Sequence, residues 1–262
     1  MAFDLNNFVI DRIVRGVALS QKDDSVLFSI NQIQNASLNC ASESADAVDA
    51  LGTPIATFYR AKSAEFSAEN ALFDMSLMAT QLGTTKKVAS SAAKILVPAM
   101  ETFTVAEGGK YDLKHTPKVA PTEIYALNGD STFGTKYAKG TAASATEFSI
   151  ASKTISLPTG VEVGTDMFVM YEYETENAVE VVNSATEFPK GCKFVMEVLG
   201  CDVCDQTNLI YAYVIFNNFK LSPDFDWSVA TDGAHPFSGK AQQDYCDKEK
   251  RLFSIIIPGD DK

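Results

Sequence analysis

The sequence predicts a mainly β fold with one flanking helix, and three observations carry that expectation. Asp166–Thr175 alternates cleanly, with Met167, Val169, Tyr171 and Tyr173 on one side and Phe168, Met170, Glu172 and Glu174 on the other. Turn signals recur closely from Gly108 to Gly164, among them Gly108-Gly109, Asn128-Gly129-Asp130 and Leu157-Pro158-Thr159-Gly160. The best repeat of apolar residues at the helical period is the stretch after Ser67.

Taken in order, residues 3–15 satisfy neither period, so helix and strand both stay open there. Ser25–Gln34 predicts a strand through Val26, Phe28 and Ile30, and the small, polar span Asn35–Asp49 predicts a surface loop. Thr53–Ala64, rich in β-branched and aromatic residues, predicts a strand that runs into the helix.

That helix is expected over about residues 68–82. Ala68, Leu72, Met75, Met78, Ala79 and Leu82 form one stripe, and Phe73 and Leu77 fall roughly opposite. A single core cannot cover both, so the second stripe needs either an inserted loop or a neighbouring subunit, and Phe73 and Leu77 are the candidates for a subunit contact. Gly83 supplies a left-handed stop, with Lys86 and Lys87 beyond the negative end of the dipole.

Ile95–Val105 resumes extended structure, and short strands are expected at 122–127, 147–150 and 153–157. Further strands follow at 178–182, 193–199, 209–221 and 252–257. The reading is a β core from residues 1–107 and 165–262, with 108–164 as a β-rich insertion or elaborated sheet.

The 262 residues carry 22 basic against 34 acidic side chains, a net charge of −12 that repels phosphate backbones and anionic membranes. No apolar run approaches the roughly 18–20 residues needed to cross a bilayer. Met1-Ala2-Phe3-Asp4 lacks the basic-then-apolar order of a secretion signal, so synthesis in the cytosol is expected. Cys40, Cys192, Cys201, Cys204 and Cys246 are odd in number and fit a reducing compartment better than a disulfide framework.

Catalytic constellations are weak. Cys201-Asp-Val-Cys204 has the spacing of a metal clip, but Cys192, Cys246, His115 and His235 supply no second pair, and thiols in a turn between strands are the simpler reading. Asp224, Asp226 and Ser228 imitate the start of a calcium loop, yet Val229 stands where glycine is needed and His235 where a bidentate glutamate belongs; a looser oxygen site would use Asp224, Asp226 and Asp232. Gly129-Asp130-Ser131 lacks a nucleophile elbow and reads as a hairpin turn. Phosphate-cradling glycine motifs are missing. Neither a metal nor another cofactor is expected, and no enzymatic activity.

Glu172, Glu174 and Glu176, followed by Glu180, read most simply as the polar face of a sheet. Were that face to line a shared channel, it would form a negative wall to which DNA does not adhere.

The whole chain resembles the virion structural proteins of tailed bacteriophages, above all their major tail tube proteins. The likeness rests on ALGTPIATFYRAKSAEFSAENALFDMSLMATQLG at Ala50–Gly83 and on the block from Asp202 to Pro258. It implies a β-sandwich or barrel with a flanking helix, closed into hexameric rings by sheet pairing between subunits and stacked into a tube. It also implies partners: further copies of the chain, a tape-measure protein, a tail sheath or tail terminator, and DNA in transit, in a virion tail assembled in the host cytoplasm. Glu172, Glu174, Glu176 and Glu180 become candidates for lining the lumen, Phe73 and Leu77 for the subunit interface. A capsid decoration or head-fibre protein is the alternative of the same class, and a metal-dependent enzyme built on Cys201, Cys204 and His235 is the rival from another.

Overall fold

The computed structural model describes residues 7–259 except 232, 246 and 247, so Asp232 and Cys246 lie outside the described residues. The chain forms two compact units, the first from Met1–Lys86 with Val181–Lys262 and the second from Lys87–Glu180. The inserted unit therefore begins and ends well outside the 108–164 span, and it takes in all four candidate glutamates.

In the first unit the chain runs through β1 (Phe8–Ser20), β2 (Val26–Ile30), β3 (Ile33–Val48), β4 (Pro54–Asn70) and helix α1 (Met75–Gln81). The second unit holds β5 (Lys87–Val88), β6 (Ile95–Thr104), β7 (Lys110–Asp112), β8 (Glu123–Leu127), β9 (Phe133–Lys139), β10 (Glu147–Ala151), β11 (Thr154–Ser156), β12 (Asp166–Thr175) and β13 (Val179–Glu180). The first unit resumes with β14 (Gly191–Asp202), β15 (Asp205–Leu221), β16 (His235–Ala241) and β17 (Ser254–Ile256).

Unit 1 is an eight-stranded sheet in the order β2-β1-β14-β15-β16-β4-β3, with β17 on β15. The sheet curls on itself: Gly16 of β1 lies against the side chain of Ile33, at the start of the last strand in the order. Alternation decides what it encloses. Cys192, Phe194, Met196 and Val198 of β14 point inward and are buried, as are Ala64, Phe66 and Ala68 of β4. Phe28, Phe66, Phe194, Phe216, Phe219 and Phe237 form one aromatic cluster, with Phe194 at ring separations of 5.4 to 6.2 Å from the other five. A Cβ at Gly239 would come within 2.4 Å of the Phe219 ring, so this strand needs glycine where the ring presses on it.

Helix α1 is shorter than its apolar stripe suggested, Met75–Gln81 rather than 68–82. Residues 68–70 belong to β4, where Ala68 continues the inward alternation of Ala64 and Phe66. Asp74 starts the helix by accepting the Ser76 and Leu77 N–H groups at 2.9 and 2.7 Å. Gly83 follows the helix at φ +73°, where a Cβ would strike the Phe188 backbone at 2.3 Å.

Unit 2 is a seven-stranded sheet in the order β6-β12-β8-β9-β10-β11-β7, antiparallel except between β9 and β10, with the β5–β13 pair beside it in the chain. Met167, Val169 and Tyr171 face its core with Ile124, Phe148 and Ile155. Residues 128–132 join β8 to β9 as a turn, which accounts for Gly129-Asp130-Ser131 without a catalytic serine.

Candidate assembly surfaces

The outer part of the β3–β4 hairpin has no further strand partner among the described residues. The loop expected at Asn35–Asp49 is instead strand β3, paired with β4 from Ile33↔Asn70 out to Val48↔Pro54. Beyond the Cys40↔Ala64 rung the ribbon pairs with nothing else among the described residues, because β16 covers β4 only from Ala64 to Asn70. Every residue from Asn39 to Asp46 and from Pro54 to Ser63 is exposed. At about 3.3 Å per residue, this arm projects about 30 Å.

Its two faces differ. One carries Ala45, Ala47, Ala56 and Phe58, and the other Ser44, Asp46, Thr57 and Tyr59. Leu51 at the tip is 91% exposed, Ile55 70% and Tyr59 73%. A lone two-stranded ribbon is marginal in water, and proteins ordinarily protect open strand edges with lysine, proline or a covering element. Here β3 offers only Glu43 and Asp46 as charges along that stretch.

The two apolar residues expected at an interface separate. Leu77 is fully buried in the aromatic core of its own unit, which corrects its assignment as an interface residue: α1 packs against β2 and turns that side into the core. Phe73 remains 37% exposed. Its ring stacks on Trp227 at 4.4 Å and on His235 at 5.2 Å, so part of its surface is covered from within the chain.

The four glutamates lie at one end of unit 2, and three are neutralised locally. Glu174 pairs with Lys118 at 3.2 Å, Glu176 with Lys94 at 3.1 Å and Glu180 with Lys87 at 3.4 Å. Glu172 is engaged through its backbone, which bridges Val119. This stretch is a row of exposed ion pairs rather than a bare negative strip, and such pairs contribute little to stability.

A carboxylate that no sequence signal singled out is buried in unit 2. Glu101 accepts hydrogen bonds from the Tyr171 hydroxyl, from the Tyr111 hydroxyl at 2.8 Å and from the Lys114 N–H at 3.1 Å. Burial alone would raise its pKa, but the two tyrosine hydroxyls and the Lys114 N–H outweigh it and hold the carboxyl below its ordinary value. Burial and the same bonds push Tyr111 and Tyr171 up to about 12. Because the folded-state value is depressed, the Glu101 contribution is complete above the unfolded carboxyl pKa and is lost as pH falls through the folded value. Glu101→Gln is expected to cost about 1–3 kcal/mol at pH 7, with the gap to wild type closing in urea melts below about pH 4.

Cys201 is the last residue but one of β14 and Cys204 sits in the tight turn to β15, with no second pair of ligands beside them among the described residues. Among the described residues no group of three His, Cys, Asp or Glu side chains converges as a metal site would require. His115 stacks on Tyr173 at 3.9 Å, and His235 is buried in β16. No helix among the described residues is long and apolar enough to cross a membrane.

No curated protein matches the chain. The model of the YomU/Tube protein family matches residues 8–254, nearly the whole length. The chain therefore belongs to the YomU/Tube protein family, as a β-rich structural protein of the phage-tube kind.

Proposed function

We propose that this chain is the major subunit of a bacteriophage tail tube, polymerising as stacked hexameric rings whose bore conducts DNA during ejection. The β3–β4 arm carries the reading. A ribbon with two open edges, an alanine-rich face and apolar tip residues is stable only when another chain covers it. A family of tube proteins makes further copies of the same chain the natural cover.

The role is passive. Subunits hold a smooth channel, a tape-measure protein sets its length, a terminator or sheath binds its outside or end, and no bond is made or broken. The net charge of −12 opposes adhesion of DNA to the wall. Glu172, Glu174, Glu176 and Glu180 are proposed for the bore only as a mixed-charge surface, since Lys118, Lys94 and Lys87 offset most of their charge. Negative-stain microscopy of the purified protein is expected to show six-fold rings and tubes. Protein that stays monomeric or trimeric at every concentration and salt would overturn the reading and favour a decoration or fibre protein.

A further inference from the structure

His235 is fully buried at the start of β16, and both ring nitrogens are committed. Gln81 determines which one carries the proton. Its Nε2 donates to the Pro236 carbonyl at 3.2 Å, which turns its Oε1 toward His235 Nε2 at 2.8 Å. That oxygen only accepts, so Nε2 bears the hydrogen and Nδ1 the lone pair. The lone pair faces the Asp74 backbone N–H, 3.4 Å away.

A second proton would therefore set N–H against N–H in a closed site. The nearest anion is the Asp74 carboxylate, whose oxygen already caps α1 through the Ser76 and Leu77 N–H groups. Recruiting it to an imidazolium uncaps the helix. The other carboxylates on the surrounding elements, among the described residues, are Glu69 of β4, which accepts from Asn35 at 2.8 Å, Glu65 of β4, paired with Lys240 at 2.8 Å, and Asp224 and Asp226, both exposed. None of these four bonds to the ring.

The same ring anchors two separate segments. Phe73, just before α1, stacks on it at 5.2 Å. Phe225, from the segment after β15, packs on it at 5.9 Å, and Trp227 from that segment stacks on Phe73 at 4.4 Å. We infer that His235 is a proton-operated latch: protonation of Nδ1 parts the Phe225–Trp227 segment from Phe73 and uncovers the stacked faces of Phe73 and Trp227, beside Leu72 and Val229 that are already exposed, while the sheet stays folded. Burial lowers the histidine pKa and Asp74 only partly restores it. The closed form thus keeps its full stability above the ordinary histidine value and loses it as pH falls through the lower folded value.

Trp227 is the only tryptophan, so its emission reports on this clasp alone. Titration from about pH 7.5 to about pH 4.5 is expected to give a red shift and new binding of a hydrophobic dye, centred below about pH 6.5, with unchanged far-UV circular dichroism. His235→Gln should abolish the transition. Gln81→Glu, which sets a carboxylate against Nε2–H, should move its midpoint up by about one pH unit or more. The Gln81 variant also decides the matter if His235→Gln fails to fold. Constant emission in the wild type, an unmoved midpoint in Gln81→Glu, or loss of the far-UV signal together with the red shift would overturn the latch.

Discussion

Replacing residues 41–63 by an Asn-Gly turn is expected to yield a soluble monomer that melts within a few degrees of the parent and forms no rings or tubes. The cut falls just outside the Cys40↔Ala64 rung, and Ala64 is the first buried residue of β4, so the truncation removes no core side chain. Two-residue Asn-Gly turns close antiparallel ribbons with the twist the flanking strands require. The arm itself is exposed along both strands, so it adds little to the stability of an isolated subunit. Its worth lies in what covers it, and a ribbon about 30 Å long offers, over both faces and the tip, an area of the order of a standard interface of about 800 Å² per partner. Size-exclusion chromatography with light scattering, followed by thermal melts, checks both halves of the expectation. Tubes from the truncated chain would show that assembly runs through another surface.

Phe194→Ala is expected to cost about 3–5 kcal/mol of unfolding free energy, enough to unfold much of unit 1 at 37 °C. The Phe194 ring is fully buried and sits among Phe28, Phe66, Phe216, Phe219 and Phe237, three of which come from β2, β4 and β16 and two from its β-ladder neighbour β15. Removing it opens a cavity that several facing strands border, and a curled sheet held by its backbone ladders cannot collapse to fill it. Urea denaturation followed by circular dichroism measures the loss. A cost below about 1 kcal/mol would mean that the aromatic cluster repacks freely.

Much of the strand framework was legible because one face of most strands is buried. β12 starts and ends where the alternation of Met167, Val169 and Tyr171 placed it, and the turn clusters of residues 108–164 punctuate the small strands of unit 2. β3 escaped because its outer part faces water on both sides, so no apolar alternation marks it, and Asn, Ser and Ala in succession resemble a loop. The helix was overextended because periods of 2 and 3.6 coincide over a few residues: Ala68 fits the helical stripe, yet it belongs to the strand series with Ala64 and Phe66. Leu77 looked surplus only because the curled sheet that receives it is assembled from distant strands. β16 hid behind Pro236, which is tolerated since only β4 pairs with β16 at that residue. The arm and the lysines that pair with the glutamates have no short-range signature, because both depend on which strands lie side by side.

The rungs that close off unit 2 have a practical consequence. Val88 lies opposite Val179, Lys87 opposite Glu180, and the Ala89 N–H donates to the Ala178 carbonyl at 2.8 Å. The chain thus departs and returns about one strand spacing apart, roughly 5 Å, the geometry that tolerates domain exchange. Unit 2 can be treated as a cassette: excised and replaced by a short turn, or swapped for any cargo whose own termini are adjacent. A chimaera of this kind would also lack Glu172, Glu174, Glu176 and Glu180, so its assembly separates the contribution of unit 1 from that of the surface proposed for the bore.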